Sequence, residues 1–275
     1  NSIVIENRNG TAPGCIIEEG EKVVIMLPGP PNEMKPMFED HVVPYFNSRT
    51  GHNLVSSYVK IFGVGESSVE DRIIDLIDAQ TNPTIASYAK EGEVTLRVTA
   101  RYENDKPDMD LISPVVEKIK DTFGDMVYST ENKELKEVVS QLLLETNTTI
   151  ALAESCTGGL ISNLLTDIPG ISKVFDRAVV SYSNDSKKKN LGVKPGTLEK
   201  FGAVSRETAE EMANGIRKMA GTKLGLSVTG VAGPDGGTAE KPVGLVYIAL
   251  ADDKTVKCKE LKLWGGRRRI RHLSA

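Results

Sequence analysis

A chain of 275 residues is long enough for about two domains of roughly 150 residues each, and its 39% hydrophobic and 26% charged residues are those of an ordinary globular protein. No apolar run approaches the roughly 18 residues of a membrane helix, and a net charge of -4 lacks the basic excess that nucleic-acid binding brings. Neither a membrane nor a nucleic acid is therefore expected as a main partner.

Three cysteines, Cys15, Cys156 and Cys258, and three histidines, His41, His52 and His272, are scattered without the spacing of a disulfide framework or a metal site. A metal-free protein of the reducing cytoplasm is expected. The chain begins NSIV without methionine, so the lack of a leader says little about the native protein.

In chain order, residues 1–50 hold two Gly/Pro-rich motifs, NGTAPG (Asn9 to Gly14) and LPGPPNEM (Leu27 to Met34), around the strand-like run KVVIM. Asn32 and Glu33 suit the first turn of a helix through Met37 and Phe38. One strand and one helix cannot close a core alone. Residues 54–129 read as a small α+β module: strand SYVKIFGVG from Ser57, then a helix from Ser67 with Val69, Ile73, Leu76 and Ile77 on one face. Strand EVTLRVTARY follows, with Val94, Leu96, Val98 and Ala100 alternating, and then a helix through Val115, Val116 and Ile119. Its GVG and GES turns could form an RNA-binding loop, but the acidic helix VEDRIIDLID favours a spacer or interaction module.

Residues 131–275 read as one α/β domain of three layers around a mostly covered sheet. Helix NKELKEVVSQLLLE places Leu135, Val138, Val139, Leu142 and Leu143 on one stripe. Strand TTIALA, a helix through Leu160 to Leu165, strand AVVSY, a helix after Asn184 and a helix capped by Ser205 follow. Strands LGLSVTG, VGLVYIALA and TVKCKELKLW close the pattern. Three loops, AESCTGG (Ala153 to Gly159), SYSNDSKKK (Ser181 to Lys189) and TGVAGPDGG (Thr229 to Gly237), each follow a strand. In a parallel arrangement all three leave the same edge of the sheet and can share a pocket.

Ser155 reads either as an N-cap for the following helix or as a nucleophile whose oxyanion is held by N–H groups of Thr157, Gly158 or Gly159. No histidine lies in these loops, so the available base is a lysine. Lys187 is the best placed, its pKa expected to fall through repulsion from Lys188 and Lys189 and through desolvation. Tyr182 could relay a proton or orient that lysine. Against these stand a solvated helix face for Lys187 and a strand-end aromatic for Tyr182. Cys156 is a rival nucleophile or buried packing. The run GGRRRIRH, with Arg267, Arg268, Arg269 and Arg271, could grip a phosphate or form a solvated basic turn.

Together AESCTGG, YSNDSK, SVTGVAGPDGG, EKPVG and the late GGR resemble the carboxy-terminal domain of the competence/damage-inducible protein A (CinA) family, which includes nicotinamide mononucleotide deamidases. GTAPG and LPGPPNEMKPMF resemble the last part of that family's amino-terminal, molybdopterin-biosynthesis-like domain, and the α+β module between is KH-like. The resemblance implies a cofactor-independent amidohydrolase acting on a small nucleotide, and a homodimer. It places the family's serine on Ser155, its tyrosine on Tyr182 and its lysine on Lys187. Thr157, Gly158, Gly159, Thr229, Gly230, Gly233 and Arg267 would bind substrate. The alternatives are a nucleotide-binding regulator without turnover, and an ADP-ribose pyrophosphatase through the amino-terminal domain. The first half of that domain has no counterpart here, and the family's usual final helix continues beyond RRRIRHLSA, so the last core layer is expected to be incomplete.

Overall fold

The computed structural model describes residues 2–49, 53–102 and 110–275, leaving His52 outside the described residues. The chain divides into two compact units, Asn1–Ala89 with Val94–Thr130, and Lys90–Glu93 with Glu131–Ala275.

The first unit opens with an antiparallel sheet of β1 (Ser2–Ile5), β2 (Gly14–Glu19) and β3 (Lys22–Met26). Helix α1 (Pro31–Met37), a π-helical turn Phe38–Val42 and α2 (Val43–Asn47) follow. Ile5, Ile16, Met37 and Val42 form the core here. The sequence pattern marks only KVVIM as a strand. The other two strands are short and too weakly alternating to stand out, and NGTAPG proves to be the link that brings them together.

Next come β4 (Asn53–Phe62), α3 (Glu66–Arg72), α4 (Ile74–Asp78), β5 (Thr84–Lys90), β6 (Glu93–Tyr102), α5 (Ser113–Phe123) and β7 (Val127–Ser129). Their sheet has the order β5-β6-β4-β7. Val94, Leu96, Val98 and Ala100 do face the core, joined by Val69, Ile73, Val116, Ile119 and Phe123. The helix expected from Ser67 is two helices, broken at Ile73, whose side chain stays buried.

The second unit contains α6 (Leu135–Glu145), β8 (Ile150–Glu154), α7 (Leu160–Thr166), β9 (Phe175–Val180), α8 (Asn184–Leu191), α9 (Pro195–Phe201) and α10 (Arg206–Ala220). It ends with β10 (Leu224–Gly230), β11 (Leu245–Ala251), β12 (Val256–Lys262) and α11 (Arg267–Ser274). The strand order is β12-β11-β10-β8-β9. Strands β9, β8 and β10 run parallel, while β11 and β12 are antiparallel. Three layers result, because the interior strand β8, between β10 and β9, is buried on both sides. Leu152 and Val228 pack with Leu143, Ile161, Leu165 and Ile270 on one face. Ala151 and Ala153 meet Leu191, Leu198, Met212 and Ile216 on the other.

Helix α10 lies close to its neighbours, since a Cβ on Gly215 would sit 1.8 Å from the Leu191 carbonyl oxygen. Ser205 caps it as the sequence predicts, its Oγ accepting from the Thr208 N–H. The stripe expected on α6 is only partly buried. Leu143 and Ser140 face inward, whereas Leu142 is 60% exposed and Leu135 and Val139 lie at the surface, because the helix rests on the core along one edge. The run RRRIRHLS forms helix α11, which packs Ile270, fully buried, into the core.

Candidate active site

Because β8, β9 and β10 are parallel, the three loops that follow them leave one edge of the sheet. Their starts are tied by backbone bonds that extend the ladder: Ser155 N–H donates to Val228 O at 3.0 Å, and Ser181 N–H to Glu154 O at 2.8 Å. Ser155 is therefore fixed directly past the end of β8. The Ser183 hydroxyl caps α8 by accepting from Ser186 N–H, and one turn into that helix Lys187 points back beneath the loops. Its Nζ lies 3.0 Å from Ser155 Oγ and donates to Ser181 O at 2.7 Å. Lys187 is 1% exposed.

Burial pushes the Lys187 amine down to about 8. Desolvation is the cause, and the expected repulsion from Lys188 and Lys189 is not: both pair with Asp185, at 3.0 and 2.8 Å, out in solvent. Burial pushes the Cys156 thiol up to about 11. It thus stays protonated near neutrality, which leaves the serine hydroxyl as the reactive oxygen or sulfur beside the amine.

Tyr182 departs from the expected relay to the lysine. Its side chain is 60% exposed, and its hydroxyl accepts from Arg267 Nη2 at 2.7 Å. Arg267 also donates to Gly233 O at 2.8 Å, so it bridges the loops after β9 and β10. The arginine run is thereby divided: Arg271 donates to Cys156 O and Thr157 O, and Arg269 stacks on Trp264. Thr229, expected against the ligand, is buried with its hydroxyl donating to Ala203 O at 2.8 Å. Gly230 is a close-approach position, where a Cβ would stand 2.6 Å from Val246 Cγ2. Both positions are thus taken up by packing within the domain.

The N-cap reading of Ser155 is also corrected. Glu154, fully buried, takes that role: its carboxylate accepts from the N–H groups of Gly159 at 2.8 Å, Ile161 at 3.3 Å and Ser162 at 2.9 Å, and from the Ser162 hydroxyl. Gly158 N–H is occupied by Ser155 O. Of the expected oxyanion donors, Gly158 and Gly159 are thus committed, while Thr157 N–H has no partner among the described residues. An acid at the end of an otherwise apolar strand, IALAE, is the signal that marks Glu154. Nothing in the sequence separates Arg271 from its neighbours in the run.

Fold and site together define a three-layer α/β domain that holds a buried serine–lysine pair at the carboxyl edge of its parallel strands. The family model for the CinA C-terminal domain matches residues 132–275, and that for the damage-inducible protein CinA KH domain matches residues 56–129; the chain belongs to the CinA family. It is 56% identical over 271 residues to a competence-damage inducible protein of Acetivibrio thermocellus, covering 98% of this chain and 66% of that one. It is 51% identical over 274 residues to a CinA-like protein of Kosmotoga olearia, again 66% of its length. The chain thus spans just under two thirds of these relatives. A crystal structure of a CinA superfamily protein from Escherichia coli, 29% identical, superposes with a TM-score of 0.50 over 51% of this chain and 81% of that one. Among the described residues no helix is long and apolar enough to cross a membrane, and no group of three or more His, Cys, Asp or Glu could hold a metal ion.

Proposed function

We propose that the unit formed by residues 131–275 hydrolyses the carboxamide of nicotinamide mononucleotide to nicotinate mononucleotide and ammonia. One observation carries the reading: a desolvated lysine amine with a pKa of about 8 lies 3.0 Å from a serine hydroxyl at the carboxyl edge of a parallel sheet. A serine hydroxyl is a weak nucleophile until a base takes its proton. A neutral amine at hydrogen-bond distance is such a base.

In this mechanism Ser155 Oγ attacks the amide carbon and its proton passes to Lys187 Nζ. The tetrahedral adduct collapses, the C–N bond breaks, and Lys187 returns the proton to the departing nitrogen as ammonia. Water then attacks the acyl-enzyme, giving one proton to Lys187, which hands it to Ser155 Oγ as the ester bond breaks. Arg267 and Tyr182, bonded to each other at the exposed mouth, recognise the polar part of the nucleotide. The unit works without a cofactor, in the cytoplasm, as a homodimer.

The test is ammonia release from nicotinamide mononucleotide by the wild-type protein and by Ser155→Ala. Release by the first and not by the second is expected. Binding of the mononucleotide without release by the wild type would replace this reading with that of a nucleotide-binding regulator.

A further inference from the structure

The turn between Ser155 and Gly159 is held from two sides by the side chains of Arg271 and Glu154. Arg271 Nε donates to Cys156 O at 3.0 Å and its Nη2 to Thr157 O at 2.8 Å. The peptides here are trans, and in a planar trans peptide the N–H points opposite to the C=O. Binding of the Cys156 carbonyl by Arg271 therefore turns the Thr157 N–H away from the guanidinium. By the same geometry, the bond from Gly158 N–H to Ser155 O turns the Cys156 N–H out of the turn. Neither of these two N–H groups has a partner among the described residues. Both would stabilise a thiolate at Cys156, as would the Lys187 and Arg271 charges, and they belong to the two residues that directly follow Ser155, whose Oγ lies 3.0 Å from Lys187 Nζ. Glu154 fixes the far end of the turn by accepting the first N–H groups of α7.

We propose that Arg271 and Glu154 are positioning residues that aim the Cys156 and Thr157 N–H groups as an oxyanion site beside Ser155. The proposal rests on the serine–lysine reading above but not on the identity of the substrate. Any acyl or phosphonyl group attacked by Ser155 would place its developing oxyanion against these donors. Without Arg271 the two carbonyls are free to rotate and the N–H groups lose their aim. Without the Glu154 charge, the first turn of α7 loses the acceptor that anchors it.

The experiment uses a fluorophosphonate, with the rate of covalent labelling at Ser155 followed by mass spectrometry, alongside ammonia release from nicotinamide mononucleotide. Wild type is expected to be labelled with a midpoint near the Lys187 pKa. Arg271→Ala should be labelled roughly 10- to 100-fold more slowly, with the same pH midpoint and an unfolding temperature near that of wild type. Arg271→Lys, or added guanidinium with Arg271→Ala, should recover part of the rate. Glu154→Gln should shift the rate in the same direction and serves as the second, independent variant. Labelling of a folded Arg271→Ala at the wild-type rate overturns the proposal, as does a wild type labelled no faster than the Ser155→Ala background. Labelling at Ser155 with no ammonia from the mononucleotide removes the substrate assignment and leaves the oxyanion site standing.

Discussion

Lys187 Nζ and Ser155 Oγ meet at 3.0 Å although 32 residues of chain separate them. The meeting is a product of strand order: β9 lies next to β8 and parallel to it, so the helix after β9 begins beside the turn after β8. Burial of the pair then sets the lysine's chemistry.

A base must be neutral to accept a proton, and Lys187 is neutral only above about pH 8. The value of kcat/KM for amide hydrolysis is therefore expected to rise tenfold per pH unit below about 8 and to level off above it. Lys187→Arg keeps the charge at every pH in this range and should be inactive throughout. A profile measured from pH 6 to 10 decides the matter, and a flat profile through 8 would remove Lys187 as the base.

The same burial leaves a mark on stability. The folded-state pKa of Lys187 is depressed from 10.5 to about 8, so between these values the unfolded chain binds more protons than the folded one, and stability rises with pH. Below pH 8 both states hold the proton and the cost of burying the charge is fully present. Relative to Lys187→Met, wild type should gain up to about 3 kcal/mol between pH 8 and 10.5. Urea unfolding of both proteins at pH 7, 9 and 10.5 measures this, and a difference that does not change with pH contradicts it.

How much of this was legible beforehand follows from where the information lies. Strand-to-turn patterns such as IALAESCTGG are local and regular, so Ser155 and Lys187 could be named from the residues as candidates beside their structural alternatives, and the shared edge followed once the strands were taken as parallel. The direction of a side chain is set by packing. Tyr182 turns outward to Arg267, and Thr229 turns inward to Ala203, because of neighbours far away in sequence. Ser155 and Glu154 are adjacent candidates for capping α7, and only the fold shows that the carboxylate takes the helix N–H groups and leaves the hydroxyl to Lys187. The short strands β1 and β2 carry too few alternating residues to be seen without their partners.

Cys156 stands next to the proposed nucleophile yet should be chemically quiet. Its thiol, pushed up to about 11 and 4% exposed, holds almost no thiolate at pH 7.5. Iodoacetamide is expected to leave activity intact over a period in which an exposed free cysteine reacts fully. Peptide mapping of the treated protein should find Cys156 unmodified. Rapid inactivation coupled to carboxamidomethylation at Cys156 would mean that the site opens far more than its burial allows.

Tyr182 separates two views of the site. If its hydroxyl serves only to orient Arg267, removing it costs one exposed hydrogen bond, worth about 1 kcal/mol. Tyr182→Phe should then raise KM a few-fold, leave kcat within about threefold of wild type, and keep the pH midpoint near 8. Arg267→Ala should raise KM further, since it also releases the loop at Gly233. A proton relay predicts something else: kcat would fall by two orders of magnitude or more, with KM little changed. Steady-state kinetics of the two variants across pH 7 to 9 distinguishes these outcomes, and the bond of the Tyr182 hydroxyl to Arg267 favours the first.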